Sequence, residues 1–98
     1  MPGTINDIGD SMFHGCRSLV NITIPSNVTR IGNSAFSKCS SLTNINIPDS
    51  VTKMGNFAFA DCKNLKYITL PSNLIKMPYG IFIHCNNLTD IYYRGTVE

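Results

Sequence analysis

Four cysteines, Cys16, Cys39, Cys62 and Cys85, follow one another at steps of 23 residues. Thiols at a fixed spacing raise three kinds of chemistry: zinc binding, disulfide formation and nucleophilic attack beside a histidine. Zinc needs ligands converging on one point at about 2.3 Å. A disulfide needs Cβ vectors turned toward each other. Nucleophilic catalysis needs an accessible thiol within hydrogen-bond reach of its base, and His14 and His84 fall at different phases of the 23-residue step, so neither pairs regularly with a cysteine. If the step reflects stacking, equivalent side chains lie in a line about 4.8 Å apart and point in parallel. Such a ladder spreads zinc ligands out and suits the disulfide torsion poorly. Buried free thiols packed as small apolar groups are therefore favoured, with a partial disulfide as the second reading. No catalytic residue, metal site or cofactor is expected.

Arg30, Lys53 and Lys76 keep the same interval and form a candidate basic column. A ladder of cations could grip a sulfated glycan or a phosphate backbone. A solvated edge is favoured instead, because Asp7 occupies the same phase and no aromatic residue interleaves for base stacking. The formal charge of +2 is too small to draw a polyanion from a distance, so no nucleic-acid partner is expected. Charged residues make up 14% of the chain, well below the usual quarter, and leave Asn, Ser and Thr to supply its polar surface. Residues 1–13 carry no basic start followed by an apolar run, and no stretch approaches the roughly 18 apolar residues of a spanning helix. No membrane insertion is expected. Asn21, Asn27 and Asn87 begin Asn-x-Thr acceptor patterns, which matter only in a glycosylating host.

The elements that must position these residues follow from the same period. Phe13, Phe36, Phe59 and Phe82 keep the 23-residue step, as do Leu19, Leu42, Leu65 and Leu88, and Ile22, Ile45, Ile68 and Ile91. Pro25, Pro48 and Pro71 follow. So many columns in register without insertion mark a tandem array. Within a unit, Leu42, Ile45 and Ile47 alternate with Asn44 and Asn46, the pattern of a half-buried strand. Pro48 ends that strand, since it cannot donate to a ladder. "DSVTKMG" carries turn residues, with Val51 and Met54 facing inward. "SAFSKCSSL" is too short for a stable free helix and reads as a helical or 3₁₀ turn that inserts Phe36 and Cys39 into the core. The chain divides into a partial coil at 1–7, regular coils at 8–30, 31–53 and 54–76, and a capping-like coil at 77–98, all in one domain. Pro78 and Arg94, where other coils have Gly and Pro, set the last coil apart.

The spacing Leu19, Ile22, Ile24, Asn27 resembles the core of leucine-rich repeats. "LTNINIPDSVTKMGNFAF" and "AFSKCSSL" are more similar still to the BspA-like, or Treponema-type, class, and this resemblance covers essentially the whole chain. It implies an α/β solenoid: a right-handed leucine-rich repeat of four 23-residue coils, with a parallel β-sheet on its concave face and short helical turns elsewhere. It further implies a non-enzymatic adhesion or protein-interaction module, a fragment of a larger surface or secreted protein whose partner is a host extracellular-matrix protein.

Alternation places Asn21, Thr23, Asn44, Asn46, Tyr67, Thr69, Asp90 and Tyr92 together on the face opposite the core, the surface solenoids use for binding. Tyr67 and Tyr92 are candidate anchors there, although tyrosine is also a good strand former. A structural spacer or self-assembling segment is the alternative function. A homodimer through the exposed N-terminal coil edge is the alternative partner, with Phe57 and Ile83 adding apolar surface.

Overall fold

The computed structural model describes residues 5–93. Two parallel sheets of three strands carry the regular structure. One joins β1 (Asp7–Ile8), β2 (Arg30–Ile31) and β4 (Lys53–Met54), and the other joins β3 (Asn44–Asn46), β5 (Tyr67–Leu70) and β6 (Asp90–Tyr93). Every register step is one sequence period: Arg30 faces Lys53, Asn44 faces Tyr67 and Tyr67 faces Asp90. The 23-residue interval is thus the repeat of a solenoid-like stack.

Alternation sets the two faces of the larger sheet. Ile45, Ile68 and Leu70 are buried, while Asn46, Tyr67 and Tyr92 are exposed. Behind the sheet, Leu42, Leu65, Val28, Val51, Phe36 and Phe59 are wholly buried in one core cluster. The phenylalanines stack coil on coil, with ring centroids 5.2 Å apart for Phe13 on Phe36 and 5.2 Å for Phe36 on Phe59. β5 stops at Leu70, directly before Pro71.

Three expectations are corrected. No helix or 3₁₀ turn forms among the described residues; the segment around each Phe and Cys is a run of tight turns. Its amide hydrogens explain why. The N–H groups of Ser34, Phe36 and Lys38 donate to Asn56, Ala58 and Ala60 of the next coil, whereas those of Ala35, Ser37 and Cys39 donate three residues back to Gly32, Ser34 and Phe36. Alternate donors therefore serve stacking and local turns, which a continuous right-handed helix does not allow. The backbone meets this demand by entering the left-handed region twice per coil. Ser11, Ser34, Phe57 and Gly80 do so in one column and Gly15, Lys38, Asp61 and His84 in another, all with φ between 55 and 72°.

Second, the "DSVTKMG" region is more than a turn, because its phase supplies the smaller sheet. Third, the larger sheet starts at β3 rather than in the first coil. The Thr43 N–H donates to Val20 O at 3.2 Å, but the pairing does not continue, so Asn21 and Thr23 lie outside any strand. Asp7 of the expected partial coil pairs with Arg30, and Ile8, the first residue of the next coil, with Ile31, as the period requires; residues 1–4, and the substituted Arg94 of the last coil, lie outside the described residues.

Candidate functional site

The outer face of the larger sheet consists of two rows across the strands. Asn44, Tyr67 and Asp90 form one, and Asn46, Thr69 and Tyr92 form the other. Tyr67 and Tyr92 are diagonal neighbours in this lattice, within reach of each other for aromatic side chains. Their rings meet edge-on, 6.4 Å apart at 75°, while 44% of Tyr67 and 54% of Tyr92 remain exposed. Polar groups frame the pair. Asn44 donates from Nδ2 to Thr43 Oγ1 at 3.2 Å, and the Thr89 hydroxyl donates to Asp90 Oδ2 at 3.0 Å. Asn46 is exposed and Thr69 half-buried. Asn21 and Thr23 are also exposed, yet they stand off the lattice formed by the other six.

The basic column divides. Arg30 and Lys53 face each other in register on β2 and β4, but Lys76 lies beyond the smaller sheet in an irregular segment. The Arg30 guanidinium donates to Asp7 Oδ1 at 3.0 Å and Asp10 Oδ1 at 3.1 Å. The hydrogen bond to Asp7 and that residue's charge raise its already high pKa. Arg30 is thus neutralised where it stands, although an ion pair this exposed adds little stability.

The cysteine ladder has a function in the coil itself. Cys39 donates its S–H to Phe13 O at 3.1 Å, Cys62 to Phe36 O at 3.1 Å and Cys85 to Phe59 O at 3.0 Å. All four thiols are free. Burial pushes Cys39 up to about 11 and Cys62 up to about 12, and raises Cys85 as well. A nucleophile or metal ligand would need the thiolate, whereas these sites favour the protonated form. Among the described residues, no group of three or more His, Cys, Asp or Glu side chains is placed to hold a metal ion. His84 pairs through Nδ1 with Asp61 Oδ1 at 3.0 Å rather than with a cysteine.

A second side-chain ladder escapes the sequence reading. Asp10 Oδ1 accepts from Asn33 N–H at 2.8 Å, Asn33 Oδ1 from Asn56 N–H at 2.9 Å, and Asn56 Oδ1 from Tyr79 N–H at 2.8 Å. Its signal was the Asp or Asn that follows each of Gly9, Gly32 and Gly55. Hydrogen-bond capacity, rather than apolarity, defines that column.

The matched repeat, the stacked Phe and Cys columns and the parallel sheets place this chain among known repeat proteins. The family model for the BspA type leucine rich repeat region matches residues 1–98 in six copies, and the chain belongs to that family. Six copies partition the residues differently from four 23-residue coils. The crystal structure of the T. pallidum leucine rich repeat protein superposes with a TM-score of 0.92 at 33% identity, covering 96% of this chain and 45% of that one. A leucine-rich repeat protein from Bacteroides ovatus ATCC 8483 gives 0.88 at 36% identity over 93% of this chain and 24% of that one. For a leucine rich cell surface protein from Faecalibacterium prausnitzii A2-165 the TM-score is 0.73 at 28% identity, over 98% and 31%. This chain spans less than half the length of each. No match was found among curated proteins. Families of this kind serve protein-interaction or structural roles.

Proposed function

We propose that this chain is a non-enzymatic interaction module, part of a larger surface or secreted repeat protein, which recognises a macromolecular ligand through the outer face of β3, β5 and β6. The observation that carries the reading is the edge-on pair of Tyr67 and Tyr92, exposed on an ordered sheet. Aromatic side chains of this kind offer large contact area with two χ angles to immobilise, and they are enriched among binding hot spots. Asn44, Asn46, Thr69 and Asp90 supply the polar surround, and Asn21 and Thr23 extend it toward the first coil. Membership of the BspA type and likeness to a cell surface protein support a surface location and a protein ligand such as a host matrix protein.

The test is binding of the purified chain to immobilised matrix proteins, fibronectin and fibrinogen among them, beside the Tyr67→Ala/Tyr92→Ala variant. Saturable binding that falls at least tenfold in the variant is expected. Binding that persists unchanged in a folded variant would move the ligand off this face. A structural spacer is the second reading. It is favoured by hydrogen-bonded ladders that run along both sheets and the turn segment in the same 23-residue step, and it predicts no ligand on the panel.

A further inference from the structure

On the flank formed by the turns after each cysteine, Arg17, Lys38, Ser40, Asp61 and Lys63 line an open pocket of about 330 Å³. We propose that this pocket binds a sulfated saccharide unit. Three successive coils build it. Arg17, Ser40 and Lys63 share one column and Lys38 and Asp61 another, two residues earlier. Two stacking steps of about 4.8 Å separate Arg17 from Lys63 in the backbone, so their long side chains can reach a common group.

Charge sets the ligand's sign. Three cations face one carboxylate, and Asp61 Oδ1 is held by His84 at 3.0 Å. Among the described residues, the ion pairs of arginine and lysine are those of Arg30 alone, so Arg17, Lys38 and Lys63 bring uncommitted charge to the pocket. In the smaller sheet Arg30 is taken up by Asp7 and Asp10, which leaves Lys53 beside a neutralised neighbour. The pocket gathers three unpaired cations around one space, whereas the column offers Lys53 beside an Arg30 already paired and Lys76 off the sheet.

Its floor is preorganised. Lys38 and Asp61 stand at left-handed positions whose N–H groups donate at 2.8 Å to Ala60 O and Ile83 O. Asn64 and Asn87 donate from Nδ2 to Ser40 O at 2.8 Å and Lys63 O at 2.7 Å, fixing the other column. An ordered backbone leaves only the side chains to be immobilised on binding. Volume and lining choose the class of anion. About 330 Å³ lies at the small-ligand end of binding sites. Among the described residues no aromatic ring lines it for base stacking, which argues against a nucleic-acid strand. Alkyl stems of arginine and lysine form apolar walls for a sugar ring, the Ser40 hydroxyl meets its hydroxyls, and the cations meet its sulfate.

Titration calorimetry with a heparin-derived tetrasaccharide and its fully desulfated counterpart, near physiological salt, tests this. Saturable binding of the sulfated form alone is expected, weakened at least tenfold in Lys38→Gln/Lys63→Gln and less steeply salt-dependent there. Tyr67→Ala/Tyr92→Ala should bind within twofold of the parent, which separates this pocket from the sheet face. Equal binding of the desulfated sugar, no saturable binding, or an equal loss in Lys53→Gln/Lys76→Gln would each overturn the proposal.

Discussion

The strand side and the turn side of each repeat advance by the same 23 residues, yet they commit their side chains differently. Along β3, β5 and β6 the backbone does the stacking, and outward residues such as Tyr67 and Tyr92 remain open to water. Across the turns the side chains take part in stacking as well. Cysteine thiols reach back to phenylalanine carbonyls, and Asp10, Asn33 and Asn56 each cap the coil that follows. A repeat can therefore vary its strand surface without disturbing its ladder, but it has less freedom where polar groups are part of the ladder. Arg17, Lys38 and Lys63 are the exception on the turn side, because their charged ends take no part in stacking.

Substitutions of graded severity sharpen that contrast. Phe36→Ala should have the largest effect, about 3 to 5 kcal/mol by urea unfolding, since a wholly buried ring stacked on both sides leaves a cavity. Gly55→Ala comes next at about 3 kcal/mol. A methyl group there would overlap the backbone of Gly32 and Asn33, and a small loss would mean that the coils can move apart.

Alkaline pH gives the third test. The thiols ionise near 9.0 when unperturbed, whereas folded Cys39 and Cys62 keep their protons to about 11 and about 12. Their folded pKa values are raised, so the stability they confer is complete below pH 9.0 and is lost as pH climbs through this window, where only the unfolded chain releases the protons. The slope is about 1.4 kcal/mol per pH unit for each such thiol. Urea midpoints at about pH 8 and about pH 10 should converge in Cys39→Val/Cys62→Val; an unchanged fall in that variant would assign the effect to other groups. Asn33→Ala should cost about 1 kcal/mol through the lost cap on Asn56. Smallest of all, Tyr67→Ala/Tyr92→Ala should change stability by no more than about 1 kcal/mol, the worth of one aromatic pair. A larger loss would make the exposed face part of the stacking framework.

The strand side was the legible side. Period-two alternation of Ile45 and Ile47 with Asn44 and Asn46 announces a strand and its outward residues from the second coil onward, and the Leu, Phe and Cys columns announce the core. The turn side was misread because Phe36 and Cys39, three apart, fit one face of a helix as well as they fit successive turns. Left-handed backbone is signalled by Gly15 and Gly80, but Ser34, Lys38, Phe57 and Asp61 adopt it too, and their side chains give no such signal. In the last coil the signal is steric: the Phe57 ring lies where a Cβ on residue 80 would go, and it meets Tyr79 edge-on at 5.5 Å. Phe57 and Ile83 are exposed as their phases suggested. The Arg17, Lys38 and Lys63 pocket was hidden for a different reason. It draws on two neighbouring columns in three repeats, and neither column is uniformly basic.

The evenly spaced thiols also give the molecule an internal set of depth gauges. Cys39 and Cys62 are sealed in the core, whereas Cys16 and Cys85 are half-buried near either end of the described stack. Alkylation needs a thiolate in contact with reagent, so each sulfur becomes reactive at the rate its own level opens. Modification kinetics followed peptide by peptide would measure fraying coil by coil, separating end openings from global unfolding in a protein that contains no tryptophan.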